Sequence, residues 1–574
     1  MSEQRITVGE LFAAFLEECG VRAAFGVISI HNMPILDAFG RRAAAASARG
    51  KPAPIRFVPA RSEPGAVNMA DAYARVSGGL GVAVTSTGTA AGNACGAMVE
   101  ALTAGTPIVH LTGQIEVPYL DRDLGYIHEA PEQLDMLRAV SKAAFRVRSA
   151  ETALGTLREA VRVALTAPRG PVSVEIPIDI QATEIEIPAS LAPAVVPVPQ
   201  PVASELDALA ERLARAKRPL LWLGGGARAA GVAVKRLVDL GFGVVTSVQG
   251  RGIVPEDHPM SLGAFNLYGP VEKFYGTCDA MLVVGSRLRS NETLKYKLKL
   301  PRPLYRIDAD PQSQGRCYTD DCFVAADSAT ALAALADRLQ GRIKPDATFA
   351  RDLAATRAAA EKLVRDGLGP YERLVAELQR AVGRDFVWVR DVTVSNSTWG
   401  NRSLRISGPR DGVHALGGGI GQGIQMAIGA AIAEATSAIA KGVALAAGGR
   451  KTLCLVGDGG LQVNIGELAT LVQEQADVIV VLMNDRGYGV IRNIQDAQYG
   501  GRRYYADLHT PDFERLAQSI ALPFQRVRDL AAVDAVLNDA MGRRGPTLVE
   551  IDMVAVGPFA SAFAGPPVKT AATA

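Results

Sequence analysis

The stretch LCLVGDGGLQVN, residues 453–464, sets one acid, Asp458, inside a glycine turn. Four apolar residues run up to it, Gly457, Gly459 and Gly460 flank it, and an amphipathic stretch follows. Twenty-seven residues later a second apolar run ends at Asn484 and Asp485, in LMNDRGYGV. Two parallel strands whose carboxyl ends carry oxygen ligands make a cation site at the edge of an open sheet. Hard oxygens of this kind suit Mg²⁺ or Ca²⁺. The glycines let backbone N–H groups approach an anion, and a helix starting near residue 461 adds its positive end. A divalent ion beside such a turn points to a diphosphate.

A second acid stands far away. In VPARSEPGAVNMADAYARVSG (58–78), Glu63 follows a strand and opens a helix of small residues. Helix N-terminal charge is a common and cheap use of glutamate, so this residue alone decides nothing. A competing glycine site lies in LGGGARAAG, where Gly224, Gly226 and Ala229 form a loose G-x-G-x-x-A. A dinucleotide fold wants an acid at the end of the next strand; GFGVVTSV has none, which favours a plain scaffold turn. A P-loop is excluded, because GGRKT (448–452) has Arg450 where the motif needs glycine.

These residues need parallel strands and helices to hold them, and the chain supplies three such blocks. GLGVAVTSTG (79–88), TPIVHLTGQ (106–114) and PVSVEIPID (171–179) read as buried strands of a first block, residues 1–182. Five prolines between 188 and 201 mark 183–203 as an extended linker. PLLWLGGGARAAG, GFGVVTSVQG, DAMLVVGSRL and PLYRIDADP repeat the pattern in a central block, 204–342. A connecting segment (343–368) leads to a third block, 369–557, with DFVWVRDVTVSN, KTLCLVGDGG, ADVIVVLMND and GPTLVEIDM, and a tail follows at 558–574. The predicted fold is α/β: three successive open, mostly parallel domains.

Composition narrows the function classes. The 574 residues are 48% hydrophobic and 21% charged, with a net charge of +2. That is the balance of a globular chain with a large core and no electrostatic bias toward nucleic acid or membrane. The N-terminus reads as an amphipathic helix and not a signal peptide. The alanine-rich run 427–449 carries Glu434 and Lys441, so it is no membrane span. Six scattered cysteines form no disulfide framework, and Cys317 and Cys322 lack the second pair that zinc needs. A cytoplasmic enzyme is expected.

The two acid motifs together resemble those of thiamine-diphosphate enzymes, in the group of acetolactate synthase and benzoylformate decarboxylase. G-D-G, a spacer and an Asn-rich turn are the family's metal signature, though its usual Asn-Asn is Asn484-Asp485 here. The resemblance implies Mg²⁺ held by Asp458, Asp485 and the carbonyl of Gly487. Asn484, Tyr488, Gly489 and Val490 would stand beside the diphosphate with Gly457, Gly459 and Gly460. R-x-E-x-x-A implies that Glu63 hydrogen-bonds the aminopyrimidine, promoting proton loss from C2 of the thiazolium. TSTGTAAGNACGAM (85–98) matches the pyrimidine-side loop. HALGGGIGQGIQMAIGAA (414–431) implies that Ile420 bends the cofactor and the Gly418 carbonyl receives its amino group. VTVSNSTWG (392–400) adds Asn396 and Ser397. GRGIVPEDHPMSLG and YRIDADP resemble the family's central domain, so the likeness spans roughly residues 5–555. Active sites between subunits of a homodimer or homotetramer are implied.

The reaction class rests on fewer residues. The resemblance implies decarboxylation of a 2-oxo acid and ligation of the enamine to a second carbonyl, as in acetolactate synthase; the alternative is protonation of the enamine to an aldehyde. Ile491 replaces a pyruvate decarboxylase glutamate, Ser86 replaces a benzoylformate decarboxylase histidine, and Gln114 matches an acetolactate synthase glutamine. These favour ligation. His31, in ISIHNMP, and His128, in GYIHEAPEQL, fall in pocket loops and favour a decarboxylase with a histidine relay. A thiamine-dependent C–C lyase and a catalytically dead homologue are the remaining alternatives, the last opposed by Glu63. His110 and His258 read as structural, while His414 is undecided. Acetolactate synthases carry FAD across the central domain, and nothing in this sequence decides whether this chain does.

Overall fold

The computed structural model describes residues 5–440 and 449–565; Lys441 and the last nine residues of the tail lie outside them. Three parallel sheets dominate. The first has the strand order Arg56–Pro59, Ala23–Gly26, Gly81–Thr85, Ile108–Gln114, Val172–Pro177 and Ala143–Arg146. The central sheet runs Gly243–Thr246, Pro219–Leu223, Ala280–Val284, Leu304–Asp308 and Cys322–Ala325. The third runs Gly412–His414, Phe386–Arg390, Lys451–Gly457, Val478–Asn484, Thr547–Asp552 and Phe524–Val527. A two-stranded antiparallel ribbon joins Arg5–Thr7 to Glu184–Glu186. The expected three-part α/β fold is therefore present.

The strands form where the sequence shows short β-branched runs, because helices cover both sheet faces and bury the inner strands. Gly81–Thr85, Ile108–Gln114 and Val478–Asn484 are buried throughout. At about 1.5–3 kcal/mol per buried aliphatic side chain, such strands make the domain cores. The weaker edge strands, such as Ala143–Arg146 and Phe524–Val527, are half-buried.

Two helices join the first and third domains. The Glu63 helix (Glu63–Ser77) packs along the helix Gly423–Ala440. Their backbones approach so closely that a Cβ on Gly429 would stand 2.1 Å from the Met69 carbonyl oxygen. Only glycine permits that approach. Among the described residues, no helix is long and apolar enough to cross a membrane.

Candidate active site

In the first sheet, four neighbouring strands deliver candidate residues to one edge. Loops at their carboxyl ends carry His31, Glu63 and Ser86, and Gln114 is the last residue of its strand. Ligands of open α/β sheets bind outside that edge. Glu63 is the first residue of its helix, capped by Ser62, whose hydroxyl accepts from the Gly65 amide at 3.1 Å. Its carboxylate accepts from the Asn93 side chain at 3.1 Å and remains part-exposed. The preceding turn is held from the third domain: Glu467 accepts from the Arg61 amide and the Ser62 hydroxyl, both at 3.0 Å. Burial raises the Glu467 pKa. Nothing near Glu467 in the chain marks it, because its partners lie some 400 residues away.

The two pocket histidines come together. Their rings meet edge to face with centroids 5.4 Å apart. Burial and then the neighbouring His128 lower the His31 pKa, with Glu116 opposing. Gln181 donates to the His31 carbonyl at 2.7 Å. A Cβ on Gly113 would meet that same carbonyl at 2.5 Å, and one on Gly88 would stand 2.1 Å from the His128 carbonyl oxygen. Both histidine backbones thus rest on glycines, Gly113 within its strand and Gly88 capping the next helix.

Gln114, expected among the catalytic residues, is placed differently. It is 2% exposed, and its side-chain oxygen accepts from the Thr87 hydroxyl and the Ile115 amide at 3.0 and 2.8 Å. Gln133, fully buried, accepts from the Gly88 amide at 2.7 Å and donates to Glu175 at 3.0 Å, while Arg146 pairs with Glu175. Gln114 is a member of this network, which fixes the Ser86–Gly88 turn from behind.

The third sheet gathers the other half. Asp458 is the first residue of a short helix, Asp458–Val463, so the helix begins three residues earlier than expected. Asp458 is 1% exposed, and one carboxylate oxygen, Oδ2, is buried without a partner. The other accepts from the Asp485 amide at 3.4 Å. Burial, then the Asp485 carboxylate, push the Asp458 pKa upward. Asp485 pairs with Arg492 at 2.7 Å, so the unmet atom is Asp458 Oδ2, which a bound cation would satisfy. The glycines leave no spare room: a Cβ on Gly459 would meet the Tyr488 ring at 2.7 Å, one on Gly460 the Asp391 carboxylate at 2.6 Å, and one on Gly487 the Ala506 oxygen at 2.3 Å. Gly457 precedes the helix as its cap. The unpaired Asp458 oxygen, beside Asp485, fits a divalent ion.

The surrounding residues are less uniform. Asn484 turns its amide to Glu550 at 2.7 Å, and its oxygen accepts from the Arg486 amide. Tyr488, Gly489 and Val490 open the helix Gly489–Gln498, from which Ile491 is 45% exposed. Asn396 donates to the Asp391 carbonyl at 2.6 Å, and its oxygen has no partner. Ser397 lies in the same helical turn, Asn396–Gly400. Gly418, with φ +86°, and the exposed Ile420 belong to a glycine-rich arch above this edge.

A cleft of about 360 Å³ opens between the first and central domains. Gly225, Gly226 and Asp308 line it with Arg75, Arg228, Arg289 and Arg410. Burial, then the cations of Arg75 and Arg410, lower Arg228 to about 9. Asp308, the last residue of the strand Leu304–Asp308, lines the same cleft.

Comparison with known proteins agrees with this layout. Residues 6–138 match the N-terminal TPP binding domain of thiamine pyrophosphate enzymes, 206–335 the central domain and 393–551 the C-terminal TPP binding domain. A probable 2-ketoarginine decarboxylase, AruI, of Pseudomonas aeruginosa is 29% identical over 557 residues, 96% of this chain and 94% of that one. The acetolactate synthase isozyme 1 large subunit of Escherichia coli is 26% identical over 558 residues, again 96% and 94%. A probable acetolactate synthase large subunit of Methanocaldococcus jannaschii is 25% identical over 560 residues, 93% of this chain and 90% of that one. The chain belongs to the thiamine pyrophosphate enzyme family, in the group that includes the acetolactate synthases, and is an enzyme that makes or breaks carbon–carbon bonds.

Proposed function

We propose that this enzyme uses thiamine diphosphate and Mg²⁺ to decarboxylate a 2-oxo acid and release an aldehyde. The contact between His31 and His128 carries this reading: two imidazoles in edge contact at the active edge of the first sheet can hold and pass one proton. Bound thiamine diphosphate supplies the electron sink for loss of CO₂. The chain's residues do the rest. Asp458, Asp485 and the Gly487 carbonyl hold the metal, and the glycine turn admits the diphosphate. Glu63 holds a proton at the pyrimidine ring. The Gly418 carbonyl and Ile420 would meet the cofactor, and His128 and His31 would deliver the final proton to the product carbon. The side chain of the 2-oxo acid is that of a larger substrate than pyruvate on the analogy of the 2-ketoarginine decarboxylase.

One observation favours ligation to a second carbonyl, as in the acetolactate synthases. The helix that begins at Gly489 presents apolar Ile491, 45% exposed, and no acid from its first turn. Proton NMR on enzyme with Mg²⁺, thiamine diphosphate and a panel of 2-oxo acids, pyruvate and 2-ketoarginine included, separates the two. Aldehyde as sole product, with turnover lowered about 10²–10⁴-fold by His31→Ala or His128→Ala, supports protonation. Acetolactate or acetoin, untouched by either substitution, overturns it.

The arginine-lined cleft supports a second cofactor with an adenosine diphosphate moiety, FAD by the family's habit. Arg228 and Arg410 would meet its phosphates and Asp308 a ribose hydroxyl. The ligand released on denaturation would be yellow for FAD and colourless but adenine-absorbing for ADP; a protein that releases and binds neither has no such site. The proposed assembly is a homodimer or homotetramer with each active site built from two subunits.

A further inference from the structure

Residues 417–420 are exposed, whereas the residues on both sides, 411–416 and 421–430, are buried. This four-residue arch carries Gly418 and Ile420 and hangs between two buried carboxylates. At its far foot, the Gly421 amide donates to Asp391 at 2.9 and 3.1 Å. Burial raises the Asp391 pKa to about 6, against the backbone amides it accepts. At its near foot the anchor comes from another domain. Glu100, 1% exposed on the helix Thr89–Ala104, accepts from the Leu416 amide at 2.7 Å and the Gly417 amide at 2.6 Å.

The near foot is held on every side. Arg75 donates to Glu100 at 3.1 Å and to the His414 carbonyl at 2.8 Å. Arg289, from the central domain, donates to the Leu416 carbonyl at 3.2 Å. Arg390 donates to the Ala415 carbonyl at 3.2 Å. All three domains therefore converge on residues 414–417. Gly417 lies so close to Glu100 that a Cβ would stand 2.9 Å from its Oε2. Glycines with φ near +85° at both 418 and 421 leave the arch conformationally permissive. Its shape is set by its feet, through hydrogen bonds to charge, which are roughly twice as strong as neutral ones.

We propose that Glu100 is a positioning residue for this arch, fixing where the Gly418 carbonyl and Ile420 stand without touching cofactor or substrate. The inference rests on the reading that the arch cradles the cofactor. The Glu100 helix also bears Asn93, the partner of Glu63, two turns nearer its N-terminus. One helix thus braces two of the cofactor contacts assigned above.

Glu100→Gln keeps the volume but turns an N–H₂ group toward one of the two amides. Expected in the cofactor-free protein is at least 10-fold faster amide exchange at Leu416 and Gly417. Affinity for thiamine diphosphate with Mg²⁺ should fall about 10- to 100-fold by calorimetry, the usual cost of losing a supporting contact. Glu256→Gln is the control for mere destabilisation: it breaks another buried arginine pair, with Arg251, in the central domain and should lower Tm with affinity unchanged. If Glu100→Gln does not fold, Glu100→Asp retains the charge and retracts it by one methylene, with the same two readouts. Unchanged exchange at 416 and 417 in either folded variant overturns the role of Glu100. Faster exchange with unchanged affinity overturns it as well, and traces the failure to the cradle reading, not to the brace.

Discussion

At the edge of the third sheet, Asp458 keeps a carboxylate oxygen buried and unpaired beside a second acid. At the edge of the first sheet, the polar groups behind the Ser86–Gly88 turn are matched one to another: Thr87 with Gln114 and Gln133, Gln133 with Gly88 and Glu175, Glu175 with Arg146. Its candidate acid, Glu63, already has Asn93 as partner. One half stores an unmet electrostatic need that a cation removes; behind the Ser86–Gly88 turn of the other the polar groups are matched, and its unpaired oxygens, Glu116 Oε2 and Gln181 Oε1, lie by the His31 loop. Affinity for the metal–diphosphate end should therefore trade directly against stability of the empty protein, whereas the pyrimidine end should not.

That contrast is open to its hardest test with two substitutions. Asp458→Asn removes a charge that the empty protein cannot pair, so apo stability should rise by about 1–3 kcal/mol. Thiamine diphosphate affinity in Mg²⁺ should fall by about 100-fold or more, at least the scale seen for supporting groups around a metal. Glu63→Gln should leave both Tm and affinity nearly unchanged while slowing proton exchange at C2 of the bound cofactor about 10²–10⁴-fold. An Asp458→Asn protein that is less stable than wild type would mean the acid is satisfied within the chain, and the asymmetry would vanish.

Gly88 sharpens the comparison from the other side. Its backbone sits at φ +60°, and a Cβ would stand 2.1 Å from the His128 carbonyl oxygen. Gly88→Ala should cost about 1–3 kcal/mol of stability through strain and displacement of the His128 loop. Product formation should suffer more than cofactor affinity, since the metal end lies in another domain. Equal losses in both would show that the two halves are not separable.

How much of this was legible in the sequence follows the same division. The Asp458 turn is local: strand, glycines and acid are contiguous, and Asp485 directly follows the next strand of the same sheet. Pattern alone finds such a site. The central strands were also plain, because they are buried on both faces and read as continuous apolar runs. What sequence missed acts across domains. Glu467 reaches the Glu63 turn, and Glu100 reaches Leu416 and Gly417. Gln114 is a related case: strand alternation places a residue on a face, but whether its amide finds solvent or a buried network depends on Thr87 and Gln133.

His110 separates the core of the first sheet from its active edge. It lies wholly buried in the strand Ile108–Gln114, bonded to the Thr85 hydroxyl at 2.8 Å and the Ser173 hydroxyl at 3.1 Å. Burial lowers its pKa from 6.5 to about 4. The unfolded chain then binds the proton more readily than the folded one. The stability contributed by neutral His110 is whole above pH 6.5 and declines as pH falls from there toward 4. Each pH unit within that window costs about 1.4 kcal/mol. His110→Gln should flatten this part of the stability curve, measured by denaturant unfolding between pH 7 and 5, and leave the pH profile of turnover where it was. A shifted turnover profile would tie His110 to the His31–His128 pair, and the first sheet would have no inert interior beneath its active edge.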